Sequence, residues 1–181
     1  EIQGNVLYGG SSISSDWPIQ TDKYKVFLNA VDLIYSEDKA FLCVVKNDNT
    51  CEIIEYCIEE VDVVIPSSIN GYNVTSFGDV FRENPFIESI YLPNTILNID
   101  AYAFYCCERL TTINIPDGVR SIGDYAFAGC SALQSIIIPD SVTSIGSRAF
   151  YGCSSMESIT LSSSLVEINA YAFYYCYKLE S

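Results

Sequence analysis

Apolar and polar positions follow a repeating order over the C-terminal two thirds of this chain. Phe81, Phe104, Phe127, Phe150 and Phe173 keep a constant step of 23 residues (104−81, 127−104, 150−127, 173−150). Cys107, Cys130, Cys153 and Cys176 keep the same step, as do Ile99, Ile122, Ile145 and Ile168. A fixed period of roughly 20 to 50 residues is the mark of a repeat architecture. Each unit has three parts. Leu-x-x-Ile-x-Ile-Pro, as in Leu133, Ile136, Ile138 and Pro139, alternates like a half-buried strand, and the proline stops the ladder because it has no N–H. Val-x-x-Ile-Gly, as in Val142, Ile145 and Gly146, is a second short apolar step, its glycine reached through a backbone conformation that Cβ would forbid. Ala-Phe-x-x-Cys, as in Ala149, Phe150 and Cys153, has the i, i+3 spacing of a single helical or 3₁₀ turn. One unit buries too little to offset the entropy of ordering it, so the units must stack.

This pattern predicts parallel strands at 61–65, 87–92, 110–115, 133–138 and 156–161. The division expected is 1–60 as an N-terminal extended segment and cap, and 61–181 as five repeats of about 23 residues. Residues 41–45 and 51–57 are β-rich runs around Asn47-Asp48-Asn49-Thr50 and read as a hairpin. Such a hairpin would cover the otherwise open first strand. Gly9-Gly10-Ser11-Ser12 and Ser14-Ser15 read as loop, Trp17-Pro18 as extended chain, and 24–34 as a loosely alternating strand. The first unit departs from the pattern, with Phe77 for Ile, Val80 for Ala, Asn84 for Cys, and an Asn70-Gly71 tight-turn signal. The fifth has Ser162 for Pro and Asn169 for Gly, edits expected at the ends of a stack. Leu179-Glu180-Ser181 matches Leu133-Gln134-Ser135, so the chain stops just before another strand. The expectation is a missing C-terminal cap with further chain beyond, or self-association through that edge.

At these residues the chain resembles the BspA-type leucine-rich repeats of bacterial surface proteins. That subclass reads Leu-x-x-Ile-x-Ile-Pro-x-x-Val-x-x-Ile-Gly-x-x-Ala-Phe-x-x-Cys, matched over about 61–181. The resemblance implies a repeat solenoid, a right-handed β/α-type coil. Its parallel β-sheet lies on one face, short helical or 3₁₀ turns on the other, and an N-terminal β-hairpin cap precedes them. It also implies a secreted or cell-surface, non-catalytic binding module that adheres to a host or matrix protein or to a glycan. A structural spacer, or an accessory domain of a longer surface protein, is the alternative.

Charge narrows the partners. With 23 acids against nine bases the formal charge is −14, the wrong sign for nucleic acid or an anionic membrane. The acidity suits solubility. No apolar run reaches 18 residues, so no membrane insertion is expected. The chain has no histidine, which removes Ser-His-Asp and Cys-His nucleophile systems and His-ligated metals. Phosphate-cradling glycine motifs are absent. Glu59-Glu60, read as neighbours on one cap strand, would point to opposite faces and make no acid/base pair. No cofactor, metal or catalytic residue is expected.

Eight cysteines raise the question of bridges or zinc. Cys-x-x-Cys is absent and Cys106-Cys107 are adjacent, which speaks against zinc. Cys107, Cys130, Cys153 and Cys176 should stack inside with Phe81, Phe104, Phe127, Phe150 and Phe173 as the repeat core. Stacked side chains point the same way, so reduced, hydrophobe-like thiols are expected there. Cys43, Cys51 and Cys57 lie in the cap at a spacing that does not pair them across the turn. Asn73-Val74-Thr75 forms a glycosylation sequon.

Two surfaces could hold a ligand. The outward strand positions are Ser89, Tyr91, Thr112, Asn114, Ser135, Ile137, Ser158 and Thr160, of which Tyr91 and Ile137 are the bulky members. The small hydroxyl residues suit solvent equally well. The alternative is an aromatic surface around the Ala-Phe turns, made by Tyr102, Tyr105, Tyr125, Tyr151, Tyr171 and Tyr174, with Tyr175 and Tyr177 beside them. Tyrosine offers large area with a polar tip, and its ring stacks on sugars. These rings could equally cover the edge of a thin core.

Overall fold

The computed structural model describes residues 6–7, 32–46 and 48–180. The loop and extended readings at 9–18, and the strand reading over 24–31, lie outside the described residues. An N-terminal sheet comprises β1 (Val6–Leu7), β2 (Leu33–Tyr35), β3 (Phe41–Val45), β4 (Thr50–Tyr56), β6 (Ser68–Ile69) and β7 (Tyr72–Ser76), in the order β1-β2-β3-β4-β7-β6. β3 and β4 form an antiparallel hairpin, and β4 then pairs in parallel with β7. β6 and β7 are joined through Asn70 and Gly71, at φ 49° and 86°. Two positive φ values in a two-residue turn match the right-handed strand twist, which is why Asn-Gly stands there. The sheet thus reaches past residue 60 to Ser76. Glu59 and Glu60 lie in the connection after β4, not on a strand, and both are exposed.

Beyond this sheet the chain winds in coils with three sides. The first side carries β5 (Asp62–Val64), β8 (Ser89–Tyr91), β10 (Thr112–Ile113), β12 (Ser135–Ile137) and β14 (Ser158–Thr160). They form two parallel ladders, β5-β8-β10 and β12-β14, shorter than the sequence runs that foretold them. A β-turn closed on the proline carbonyl follows: the N–H groups of Ile96, Val119 and Val142 donate to Pro93, Pro116 and Pro139. The second side carries β9 (Asn98–Ile99), β11 (Ser121–Ile122), β13 (Ser144–Ile145) and β15 (Glu167–Ile168), a four-stranded parallel sheet. The Val-x-x-Ile-Gly step therefore builds a sheet of its own, so parallel ladders occupy two sides of the coil rather than one.

The third side corrects the expectation of helical turns. Among the described residues it contains no helix, and its hydrogen bonds say why. Within one coil, the N–H groups of Ala103, Tyr105 and Cys107 donate to the carbonyls three residues back, Asp100, Tyr102 and Phe104. The intervening N–H groups of Tyr102, Phe104 and Cys106 donate instead to Asp124, Ala126 and Ala128 of the next coil. A 3₁₀ helix needs every N–H for itself, and here each second one goes to the neighbour. The alternation requires left-handed residues at Tyr102, Tyr125, Arg148 and Tyr171, and again at Cys106, Gly129, Gly152 and Tyr175, all with φ between 54° and 77°.

Inside, the rings of Phe81, Phe104, Phe127, Phe150 and Phe173 lie in file, 5.1 to 5.7 Å between successive centroids and within 16° of parallel. The first four are fully buried, and Phe173 is partly so. Tyr56 carries the file back into the N-terminal sheet, 5.3 Å from Phe81 and 5.4 Å from Phe41. One aromatic column thus runs through both parts of the chain.

Gly123 and Gly146 are small for a different reason from the one their motif suggests. Neither has positive φ. A Cβ on Gly146 would lie 2.5 Å from backbone atoms of Gly123 and Asp124 in the preceding coil, and one on Gly123 would lie 2.6 Å from the Ala101 nitrogen. The glycines let consecutive coils touch. Gly146→Ala is expected to lower stability by about 1–3 kcal/mol, as overpacking of a close contact does. Urea denaturation followed by circular dichroism measures it, and an unchanged midpoint would refute the close-contact account.

Candidate functional site

The outward strand positions lie together on the first side, because a strand turns alternate residues to one face. Ser89 pairs with Thr112, Ser135 with Ser158, and Ile137 with Thr160. Tyr91 and Ile137 are 57% and 69% exposed. Val64, missed in the sequence reading, pairs with Tyr91 and is 66% exposed. Its signal was present: Val63 points inward, so its neighbour must point out. Asn114 stands between Tyr91 and Ile137 and is committed to structure, accepting from Leu92 N–H at 2.7 Å and donating to its carbonyl at 2.9 Å. Hydroxyl bonds run along the same side, as from Ser89 Oγ to Asp62 at 2.5 Å. The face is a shallow surface with three bulky apolar side chains in a setting of small polar ones.

The tyrosines gather on the third side. Tyr102 and Tyr125 stack at 5.1 Å and 7°, and Tyr105 meets each of them edge-on. Tyr151 packs on Tyr174 and Tyr175, and Tyr171 meets Tyr174 at 88°. Two arginines, which the sequence reading did not single out, complete this surface. The Arg82 guanidinium lies 5.1 and 5.2 Å from the Tyr102 and Tyr105 rings, and Arg148 lies 5.5 and 4.9 Å from Tyr125 and Tyr171. Position 148 shares the 23-residue step of Tyr102, Tyr125 and Tyr171, so the guanidinium occupies a place in a ladder of rings. Both contacts have cation–π geometry.

The cysteine column has a bonding role beyond filling space. The thiols of Cys107, Cys130, Cys153 and Cys176 donate to the carbonyls of Phe81, Phe104, Phe127 and Phe150, at 2.9 to 3.2 Å. Each accepting carbonyl belongs to the phenylalanine of the preceding coil. Asn84 replaces cysteine in the first unit and instead accepts from the N–H groups of Phe86 and Ile87. All eight cysteines are free thiols. In the N-terminal sheet Cys43 faces Ile53 while Cys51 faces Val45, a diagonal placement. Sequence spacing gave no pairing there; the Cys51 thiol donates to the Tyr72 carbonyl at 3.7 Å, and hydrogen bonding with Cys51 together with burial pushes the Cys43 thiol up. Burial pushes the Cys107 thiol up to about 12 and Cys130 well above the ordinary thiol range.

Two parallel strand sets, a proline turn and a stacked ring at constant period define a leucine-rich repeat solenoid. The family model for the BspA type leucine rich repeat region matches residues 75–181 in six copies, where the spacing alone had suggested five units. The chain belongs to the BspA-type leucine-rich repeat family. It is similar to the crystal structure of the leucine-rich repeat protein of T. pallidum, with 31% identity over 80% of this chain and 69% of that one, at a TM-score of 0.76. It is also similar to a leucine-rich repeat protein from Bacteroides ovatus, 27% identical over 75% of this chain and 49% of that one, TM-score 0.59. A leucine rich cell surface protein from Faecalibacterium prausnitzii shares the fold at 24% identity and TM-score 0.57, covering 78% of this chain and 52% of that one. The chain therefore spans about half the length of the last two. No curated protein matches it.

The buried thiols set a pH dependence. The folded pKa values of Cys107 and Cys130 lie above the unfolded value of about 8.5, so the folded state holds protons that the unfolded chain releases. Their contribution is fully present below about pH 8.5 and is lost as pH rises toward the folded value near 12 of Cys107. The urea midpoint is expected to fall steadily above about pH 9, and Cys130→Ala to flatten that fall. A midpoint independent of pH in this window would contradict the burial.

Proposed function

We propose that this chain is the non-catalytic binding module of a secreted or cell-surface protein. On this reading it holds a partner, a matrix or host protein or a glycan, on its strand side. The observation that carries the reading is the row of exposed Val64, Tyr91 and Ile137 on the strand side, the first two on one parallel ladder and the third on the next. Large apolar side chains turned to water on regular strands cost solubility, and a patch rimmed by polar groups is how a binding surface looks. Solenoids commonly use such extended faces. Similar structures include a protein described as a cell surface protein, which favours a place outside the cell. Among the described residues no helix is long and apolar enough to cross a membrane.

The binding should be saturable and concentrated in few side chains, as interface anchors usually are. Immobilised extracellular-matrix proteins and a glycan array are the screen. In the variant Tyr91→Ser with Ile137→Ser, both changes lie outside the core, so the melting curve should hold while affinity for the captured partner falls at least about tenfold. Wild-type protein flat across the whole screen, or a double variant that binds as well, would end this reading.

A further inference from the structure

The third side carries a cleft, away from the strand face. Positions 105, 128, 151 and 174 share one place in the repeat, and three of them are tyrosine. The fourth is Ala128, so one ring is missing from the ladder. At that gap the surface opens into a cleft of about 420 Å³. Its walls are Tyr105 and Tyr151, its floor Ala128 and Gly129, and along one edge stand Tyr125 and Arg148. The volume falls in the roughly 300–1,000 Å³ span of small-ligand clefts.

The walls belong to coils two steps apart, roughly 10 Å along the stack at one strand spacing per coil. A guest ring centred between them would sit about 5 Å from each wall. The protein's own stacked rings stand 5.1 to 5.8 Å apart by centroid, so the spacing admits a flat ring or a pyranose alike. A chair-shaped pyranose would fill that space with its C–H bonds beside the tyrosine rings and, unlike a flat ring, carries a rim of hydroxyls. The tyrosine hydroxyls offer donors and acceptors to the sugar's own hydroxyls.

Arg148 supplies the charge preference. In a chain of net charge −14, Arg82, Arg109, Lys46 and Lys178 all take carboxylate partners. Among the described residues Arg120 and Arg148 enter no ion pair; Arg120 is exposed, whereas Arg148 is half-buried at the cleft. Asp124 instead accepts from the Ser147 N–H at 2.7 Å. Tyr125 and Tyr171 hold the guanidinium from either side, and one donor reaches the Tyr125 hydroxyl at 2.8 Å. A fixed, half-buried guanidinium with donors to spare is built to receive a carboxylate through its planar fork. The geometry points to a site for one acidic pyranose, a hexuronic acid unit of a polysaccharide, with its ring between Tyr105 and Tyr151 and its carboxylate on Arg148.

Methyl glucuronide, methyl glucoside, benzoate and a glutamate-rich peptide are titrated against the chain while its tyrosine NMR signals are followed. The glucuronide is expected to give saturable shifts with a Kd on the order of 1 mM or tighter, the neutral glucoside at least tenfold weaker binding, and benzoate and the peptide less than the glucuronide. Ala128→Tyr restores the residue found at equivalent positions and should abolish binding while the fold persists. Arg148→Gln should weaken the glucuronide at least tenfold and leave the glucoside unmoved. The Tyr91 and Ile137 double variant should bind the glucuronide like wild type, which separates this site from the strand face. The assignment is overturned by absence of glucuronide binding, by equal binding of the glucoside, by tighter binding of benzoate or peptide, or by an Ala128→Tyr protein that folds and still binds. Should Ala128→Tyr fail to fold, the ligand series on wild type and Arg148→Gln still decides.

Discussion

Contact between consecutive coils governs this molecule. A phenyl ring in one coil is stacked between the rings before and after it. The alternate N–H groups of the third side find acceptors only in the following coil. The cysteine thiols reach back to the preceding one. Turn bonds close within each coil, but the ladders, the alternate N–H groups and the thiols are satisfied only between coils. Period, glycine placement and cysteine placement are all consequences. The period must be constant because a one-residue slip would break ring file, ladder and thiol bond together. The glycines must be small because the backbones touch.

Much of this was legible in the residues. The 23-residue step fixed the stack, and alternation in Leu-x-x-Ile-x-Ile-Pro fixed which side chains face in. What could not be read lay in hydrogen bonding between coils. The i, i+3 spacing of Phe150 and Cys153 suits a helical turn, and only the neighbour's claim on every second N–H turns it into something else. The second sheet was hidden by its brevity: two residues such as Ser144 and Ile145 carry no visible alternation. Thiol donation from Cys130 to the Phe104 carbonyl spans 26 residues and leaves no local trace.

The surfaces were legible in part. Tyr91 and Ile137 stood out as large residues at outward strand positions, and the structure adds Val64 to their row. On the other side the tyrosines were visible as a cluster, but the informative residues there are the two that break the pattern. Ala128 and Arg148 each occupy a place held by tyrosine in neighbouring coils. In a repeat, departures from the consensus carry the information about ligands, because conformity is already explained by stacking.

The alternating N–H pattern also bears on how the molecule assembles. A coil whose donors point at a successor not yet in place is held only by its predecessor. Order can therefore begin at any pair of neighbouring coils and propagate, each finished turn serving as template for the one it joins. A lesion in mid-stack interrupts that propagation at its own position, because each coil touches only its neighbours.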